Sequence, residues 1–134
     1  MFNKNKKAFS LIEILLATVV LVVALGSIVI GFIACFILNE SSRNLTIATT
    51  HAQYVLEEIK DSAMAREDIK SQINNGNWDW EEETDFTTRG INRLNNETID
   101  TEAEGGGLVN VTVTVYWKNR GRDTNITFYT QMFE

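Results

Sequence analysis

Residues 6–38 decide the fold: Lys6-Lys7-Ala8-Phe9-Ser10-Leu11-Ile12-Glu13, and then 25 residues, Ile14 to Leu38, without a charge. As an α-helix those 25 residues extend roughly 37 Å at about 1.5 Å per residue. A bilayer's hydrocarbon core is about 30 Å thick, so the run is long enough to cross it with some tilt. It is too long for the apolar core of a cleaved secretory signal, which takes about 7–15 residues. One carboxylate, Glu13, stands at the head of this run. Charge at the edge of a membrane-length segment is costly, and an ionisable residue there is a functional candidate by default.

Outward from that stretch, the charge divides unevenly. The leader carries Lys4, Lys6 and Lys7, whereas the chain from Asn39 onward holds 9 Lys/Arg against 17 Asp/Glu, within an overall net charge of −6. The positive-inside tendency puts the basic end in the cytoplasm and the acidic body outside. An acidic body has none of the concentrated positive charge that nucleic-acid phosphates require, so no direct nucleic-acid binding is expected. Cys35 is the single cysteine and there is no proline. An intramolecular disulfide is therefore impossible.

Past the apolar run, Leu45, Ala48, Ala52, Leu56, Ile59 and Ala63 step by three or four residues, with Val55 widening the stripe. This spacing predicts an amphipathic helix continuous with the apolar one. The expectation is one helix from about Phe9 to Ile73, ended by Asn74-Asn75-Gly76-Asn77, since Gly and Asn supply the left-handed helix stop. Phe86 to Arg93 and Thr98 to Thr101 read as short strands, and Gly105-Gly106-Gly107 as a flexible break. From Leu108 to Trp117 the pattern alternates strictly, with Val109, Val111, Val113, Val115 and Trp117 on one face. Ile126, Phe128, Thr130 and Met132 share a face of a second strand. The two form a hairpin with a loop, Lys118 to Asp123, longer than two residues. A lone hairpin is marginal in water, and the apolar face of the helix is the surface it would cover. The fold class expected is α+β.

Residues 6–17 resemble the class III signal of type IV prepilins and type II secretion pseudopilins: basic leader, small residue, Phe-Ser-Leu-Ile-Glu, apolar helix. The long helix leading into a small β head is also similar to that family's ladle shape. The resemblance implies a leader, 1–8, removed by prepilin peptidase between Ala8 and Phe9, and N-methylation of Phe9. It implies a transmembrane and filament-core helix over 9–38, an amphipathic continuation over 39–73 and a globular β head over 74–134. The mature chain would wait in the cytoplasmic membrane of a bacterium, held by lipid, N-terminus inside. It would then join other pilin or pseudopilin subunits through an assembly platform protein and ATPase. Assembly would use Phe9 and Glu13, the carboxylate of one subunit neutralised by the new α-amino group of a neighbour. A buried carboxylate costs several kcal/mol unless it is paired, so such pairing would fix the axial register of the filament. Departures from the family pattern are Ala8 in place of Gly, no helix proline and no disulfide. They favour a minor subunit, and Gly26 and Gly31 are the positions that loosen the helix.

Alternatives stay open on sequence alone. One is a single-pass anchored binding module that never polymerises. Another is a lipoprotein anchored at Cys35, though Phe32 and the apolar Phe36-Ile37-Leu38 fit a lipidation box poorly. The acidic stretch Asp79 to Asp85 lacks EF-hand spacing and reads as solvated charge rather than a calcium site. His51 reads as packed or solvent-facing rather than a ligand, and Trp78, Trp80 and Trp117 as core or subunit contacts. No nucleophile–base set, phosphate-binding glycine loop or Cys/His metal cluster occurs, so neither catalysis, a metal nor a cofactor is expected.

Overall fold

The computed structural model describes residues 10–64 and 68–133. The leader, Ala8, Phe9 and the 65–67 stretch of the expected continuous helix lie outside the described residues. Helix α1 runs Leu11–Met64, α2 Ile69–Asn74 and α3 Glu83–Thr88; strands are β1 Thr98–Gly106, β2 Leu108–Asn119 and β3 Arg122–Phe133. The chain divides into two compact units, Met1–Glu40 and Ser41–Glu134, and α1 contributes to both. The fold is α+β, with the long N-terminal helix packed against a three-stranded antiparallel sheet in the order β1-β2-β3.

In the first unit every described residue of α1 is exposed. The helix is apolar all round there, and among the described residues none of its faces is buried. In the second unit α1 buries Ala48, His51, Ala52, Val55 and Ile59. The expected stripe is thus shifted: Leu56 and Ala63 are only partly buried, and Leu45 is exposed. Ala48 and Ala52 carry only methyl groups into the core, so no bulky side chain holds the helix away from it there.

The single helix expected to Ile73 is corrected. Asp68 caps a separate helix, its Oδ1 accepting from Ser71 N at 3.1 Å. An Asp at an N-cap satisfies an otherwise orphaned amide, and two apolar residues of α2, Ile69 and Ile73, then turn into the core. The stop at Asn75-Gly76 stands, with Gly76 at φ 77°. The strand expected over Phe86–Arg93 is also corrected, because Phe86 belongs to α3. There Asp85 Oδ2 accepts from the backbone N–H of Glu81 and Glu82, and two satisfied amides favour a helix start over an extended chain.

The sheet follows the alternation read from sequence. Val109, Val111, Val113, Val115 and Trp117 are all buried, each worth roughly 1.5–3 kcal/mol of hydrophobic stabilisation for a valine-sized side chain. Their register partners Met132, Thr130, Phe128 and Ile126 are partly buried on the same face. Both turns are tighter than expected. Asn119 pairs with Arg122, leaving only Arg120 and Gly121, at φ 52° and 81°. Positive φ at both central residues is the mark of a type I′ turn, whose twist matches that of the strands. Gly105-Gly106-Gly107 is no flexible break: Gly106 pairs with Leu108 across a tight turn. A Cβ at Gly105, φ +110°, would lie 2.5 Å from the Leu108 carbonyl oxygen, so the turn requires glycine there.

Candidate assembly surface on the N-terminal helix

Among the described residues, α1 is the one helix long and apolar enough to cross a membrane. Its first turn is held by the Ser10 carbonyl, which accepts from Glu13 N at 2.9 Å and Ile14 N at 3.2 Å. Glu13 therefore stands in the first turn, where the positive end of the helix dipole favours a carboxylate. A shallow groove of about 600 Å³ runs along this face, lined by Glu13, Ile14, Ala17, Thr18 and Leu21. Its floor is low because Ala17 and Thr18 are small. The Thr18 hydroxyl donates to Leu15 O at 2.8 Å, and Ser27 does the same to Val23 O. With the Thr18 hydroxyl turned back onto the backbone, the groove is apolar apart from the Glu13 carboxylate. That arrangement accepts an apolar helix or lipid, and offers one anionic point for a cation.

Of the residues marked out in the sequence, Ala8 and Phe9 lie outside the described residues, so only Glu13 of the trio is placed. Cys35 is exposed near the C-terminal end of the apolar segment. Gly26 and Gly31 have nothing within 4 Å of where a Cβ would stand, so no contact within the chain demands glycine at either position.

The head holds a polar knot that sequence reading missed. His51 Nδ1 lies 2.7 Å from Glu97 Oε1, with side chains 7% and 0% exposed. Glu97 Oε2 also accepts from Leu94 N at 2.7 Å. Arg93 donates to the Glu97 carbonyl and to Glu81 O, and its guanidinium lies 5.3 Å from the Phe86 ring centroid. Arg89 covers Trp80 at 4.6 Å and bonds Glu58 at 3.3 Å. Trp80 and Phe86 meet edge to face at 5.3 Å. The segment 78–97 is thus fastened to α1 by aromatic and charge-assisted contacts rather than by regular structure. One signal for Glu97 was available, since it shares the alternation of Ile99, Thr101 and Ala103, the inward residues of β1.

The acidic stretch is dispersed over structural tasks. Asp79 Oδ1 accepts from Thr101 N and Oγ1 at 2.7 and 2.8 Å, Asp85 holds the start of α3, and Glu83 lies 3.7 Å from Arg93. Among the described residues no three His, Cys, Asp or Glu side chains converge where a metal would sit. Asp100, on the outer face of β1, has its carboxyl pushed above the ordinary range. Partial loss of water is the main cause, followed by the negative charges of Asp79, Glu81 and Glu102.

No protein-family model matches the chain, nor does any curated protein or solved structure. The residues and their geometry carry the functional reading.

Proposed function

We propose that this chain is a structural subunit, a minor pilin or pseudopilin, of a type IV pilus-like or type II secretion filament. Prepilin peptidase cuts between Ala8 and Phe9 and methylates the Phe9 amino group. The mature protein waits in the bacterial cytoplasmic membrane with its head outside. It polymerises through α1, drawn from lipid by a platform protein and ATPase, and does no catalysis of its own.

The observation that carries this reading is the first half of α1. It is exposed and apolar on every side from Ile14 to Leu38, yet begins with the carboxylate of Glu13 beside a small-residue groove. An ordinary anchor needs only the apolar surface. A helix that leaves lipid for a helical core needs apolar surface on all sides and a charge that is satisfied in one register only. The sequence motif before Glu13 supplies the matching cation once cleavage frees the amino group of Phe9.

Intact mass of the membrane-extracted protein tests the processing step. A chain starting at monomethylated Phe9 is expected. A Met1 start overturns the proposal and leaves an anchored binding module, and a diacylated Cys35 establishes a lipoprotein. Glu13→Ala separates processing from assembly: cleavage persists while incorporation into sheared filaments falls at least about tenfold. Unchanged incorporation removes Glu13 from the assembly mechanism.

A further inference from the structure

Five Asn-x-Ser/Thr triplets occur in the chain, beginning at Asn39, Asn44, Asn96, Asn110 and Asn125. Such a triplet accepts an N-linked saccharide when it lies on an accessible surface outside the cytoplasm. The fold separates the five. Asn39 and Asn44 lie in α1, where residues two apart point roughly 200° from one another, so amide and hydroxyl face apart. Asn96 sits at φ 50°, and Glu97, which follows it, is buried and bound to His51 and to Leu94 N. Asn110 is on the central strand, paired on both sides, and its Oδ1 accepts from Gln131 Nε2 at 2.8 Å.

Asn125 differs on each count. It is exposed, close to the Arg120-Gly121 turn, and on β3, an edge strand of the sheet. In a strand, residues two apart share a face. Asp123, Asn125 and Thr127 therefore stand in line on the outer face, opposite to the one that Ile126 and Phe128 turn to the core. The Thr127 hydroxyl lies 3.2 Å from that of Thr114, which holds it on the same face as the Asn125 amide. Asp123 sets a negative charge two residues ahead of Asn125, and none of the other four triplets has one there.

Across the ladder stands Tyr116, the register partner of Asn125, 42% exposed. Ile99 exchanges two 2.9 Å bonds with Trp80 on the outer side of β1, so its partner Val115 turns its N–H and C=O toward Ile126. Tyr116 and Asn125 are then a non-hydrogen-bonded pair, the kind whose side chains come closer together. The Tyr116 ring offers its face to the C–H surface of a first sugar ring. A bulky hydrophilic group at Asn125 also answers a need of the sheet. Trp80, Asp79 and Asn74 cover the outer side of β1. From Thr124 to Phe133, β3 has neither charge nor proline, the devices that ordinarily guard an edge.

We propose that Asn125 is an N-glycosylation site, taking its saccharide from a lipid-diphosphate donor. Asn125 Nδ2 attacks the anomeric carbon, forming an N–C bond. The bond from that carbon to the diphosphate oxygen breaks, and the lipid diphosphate leaves with its electron pair. One amide proton passes to a base of the transferase, and nothing is oxidised or reduced. The inference rests on the head lying outside the membrane, as proposed above.

Mass spectrometry of the chain purified from its native cells tests it, on the intact protein and on the tryptic peptide 123–134. A saccharide increment on Asn125 is expected. Asn125→Gln and Thr127→Val should each abolish it, Thr127→Ser should retain it, and Asn96→Gln should leave it unchanged. An unmodified 123–134 peptide overturns the proposal, as does an increment that survives Asn125→Gln. The intact mass keeps the two readings apart. An unmodified chain that begins at monomethylated Phe9 overturns the glycan alone. A glycan on a chain that begins at Met1 supports the site and overturns the filament reading.

Discussion

The two halves of α1 are made of the same backbone and stabilised in different ways. From Ile14 to Leu38 nothing is buried and nothing is charged, so the described residues supply no partner for that surface. From Ala48 to Ile59 one face is buried against a sheet and the opposite face is polar. The first half carries its stabilisation within its own backbone, since a helix satisfies its N–H and C=O groups internally and can stand in an apolar medium that offers them no partner. The second half is stable because tertiary packing holds it. The difference teaches that the head should unfold as a unit of its own, indifferent to substitutions in the apolar half.

The strongest way to break this comparison is a pair of truncations. Phe86→Ala removes the ring that meets Trp80 and faces His51, and should cost the head about 3–5 kcal/mol. Leu25→Ala should leave the same transition unmoved. Denaturant unfolding followed by tryptophan fluorescence reads both, since Trp78, Trp80 and Trp117 all lie in the head core. A shift of the head transition by Leu25→Ala would show that the two halves are coupled.

Next in size is the buried pair. Glu97→Ala leaves His51 and the Leu94 amide without their acceptor in a dry site, a loss of about 3 kcal/mol or somewhat more. Adding His51→Ala to Glu97→Ala should then cost less than His51→Ala alone, which a double-mutant cycle measures. Equal costs would mean that the two side chains act independently.

Gly105→Ala should destabilise the head by about 1–3 kcal/mol through positive φ, whereas Gly26→Ala in the apolar half meets no contact. Thermal unfolding of the head distinguishes them. An unchanged melting temperature for Gly105→Ala would mean that the turn relaxes without cost.

The smallest effect concerns Asp100. Its carboxyl is held above the ordinary range in the folded head, so ionisation costs stability. Stability from this group is complete below the unfolded carboxylate range and falls as pH rises through the raised folded value. Asp100→Asn should therefore stabilise the head slightly at pH 7, by well under about 1 kcal/mol because solvent screens an exposed row, seen as a small rise in melting temperature. At pH 3 the gain should vanish. A gain of the same size at both pH values would point to a cause other than charge.

Much of this architecture was legible in the chain. Strict alternation from Val109 to Trp117 fixes which face of β2 is buried, because a strand has period two and a one-residue slip would expose every valine. The segment 78–97 was not legible, since its contacts come from side chains far apart in sequence and carry no period. Glu97 reaches back 46 residues to His51, and Arg89 crosses 31 residues to Glu58. Local pattern also misread Phe86, an aromatic residue of good strand propensity that Asp85 draws into a helical turn.

By itself the sequence determined a membrane-length apolar helix led by Glu13, an amphipathic continuation and a terminal hairpin with its faces assigned. These follow from periodicity, which each stretch carries within itself. Only the tertiary structure decided that α1 and α2 are separate helices, that His51 meets Glu97, and that Trp80, Asp79 and Asn74 close the outer edge of β1. Each of those depends on which distant groups satisfy a buried charge or an outward amide. Local pattern cannot specify that, because the partners come together only when the chain has folded.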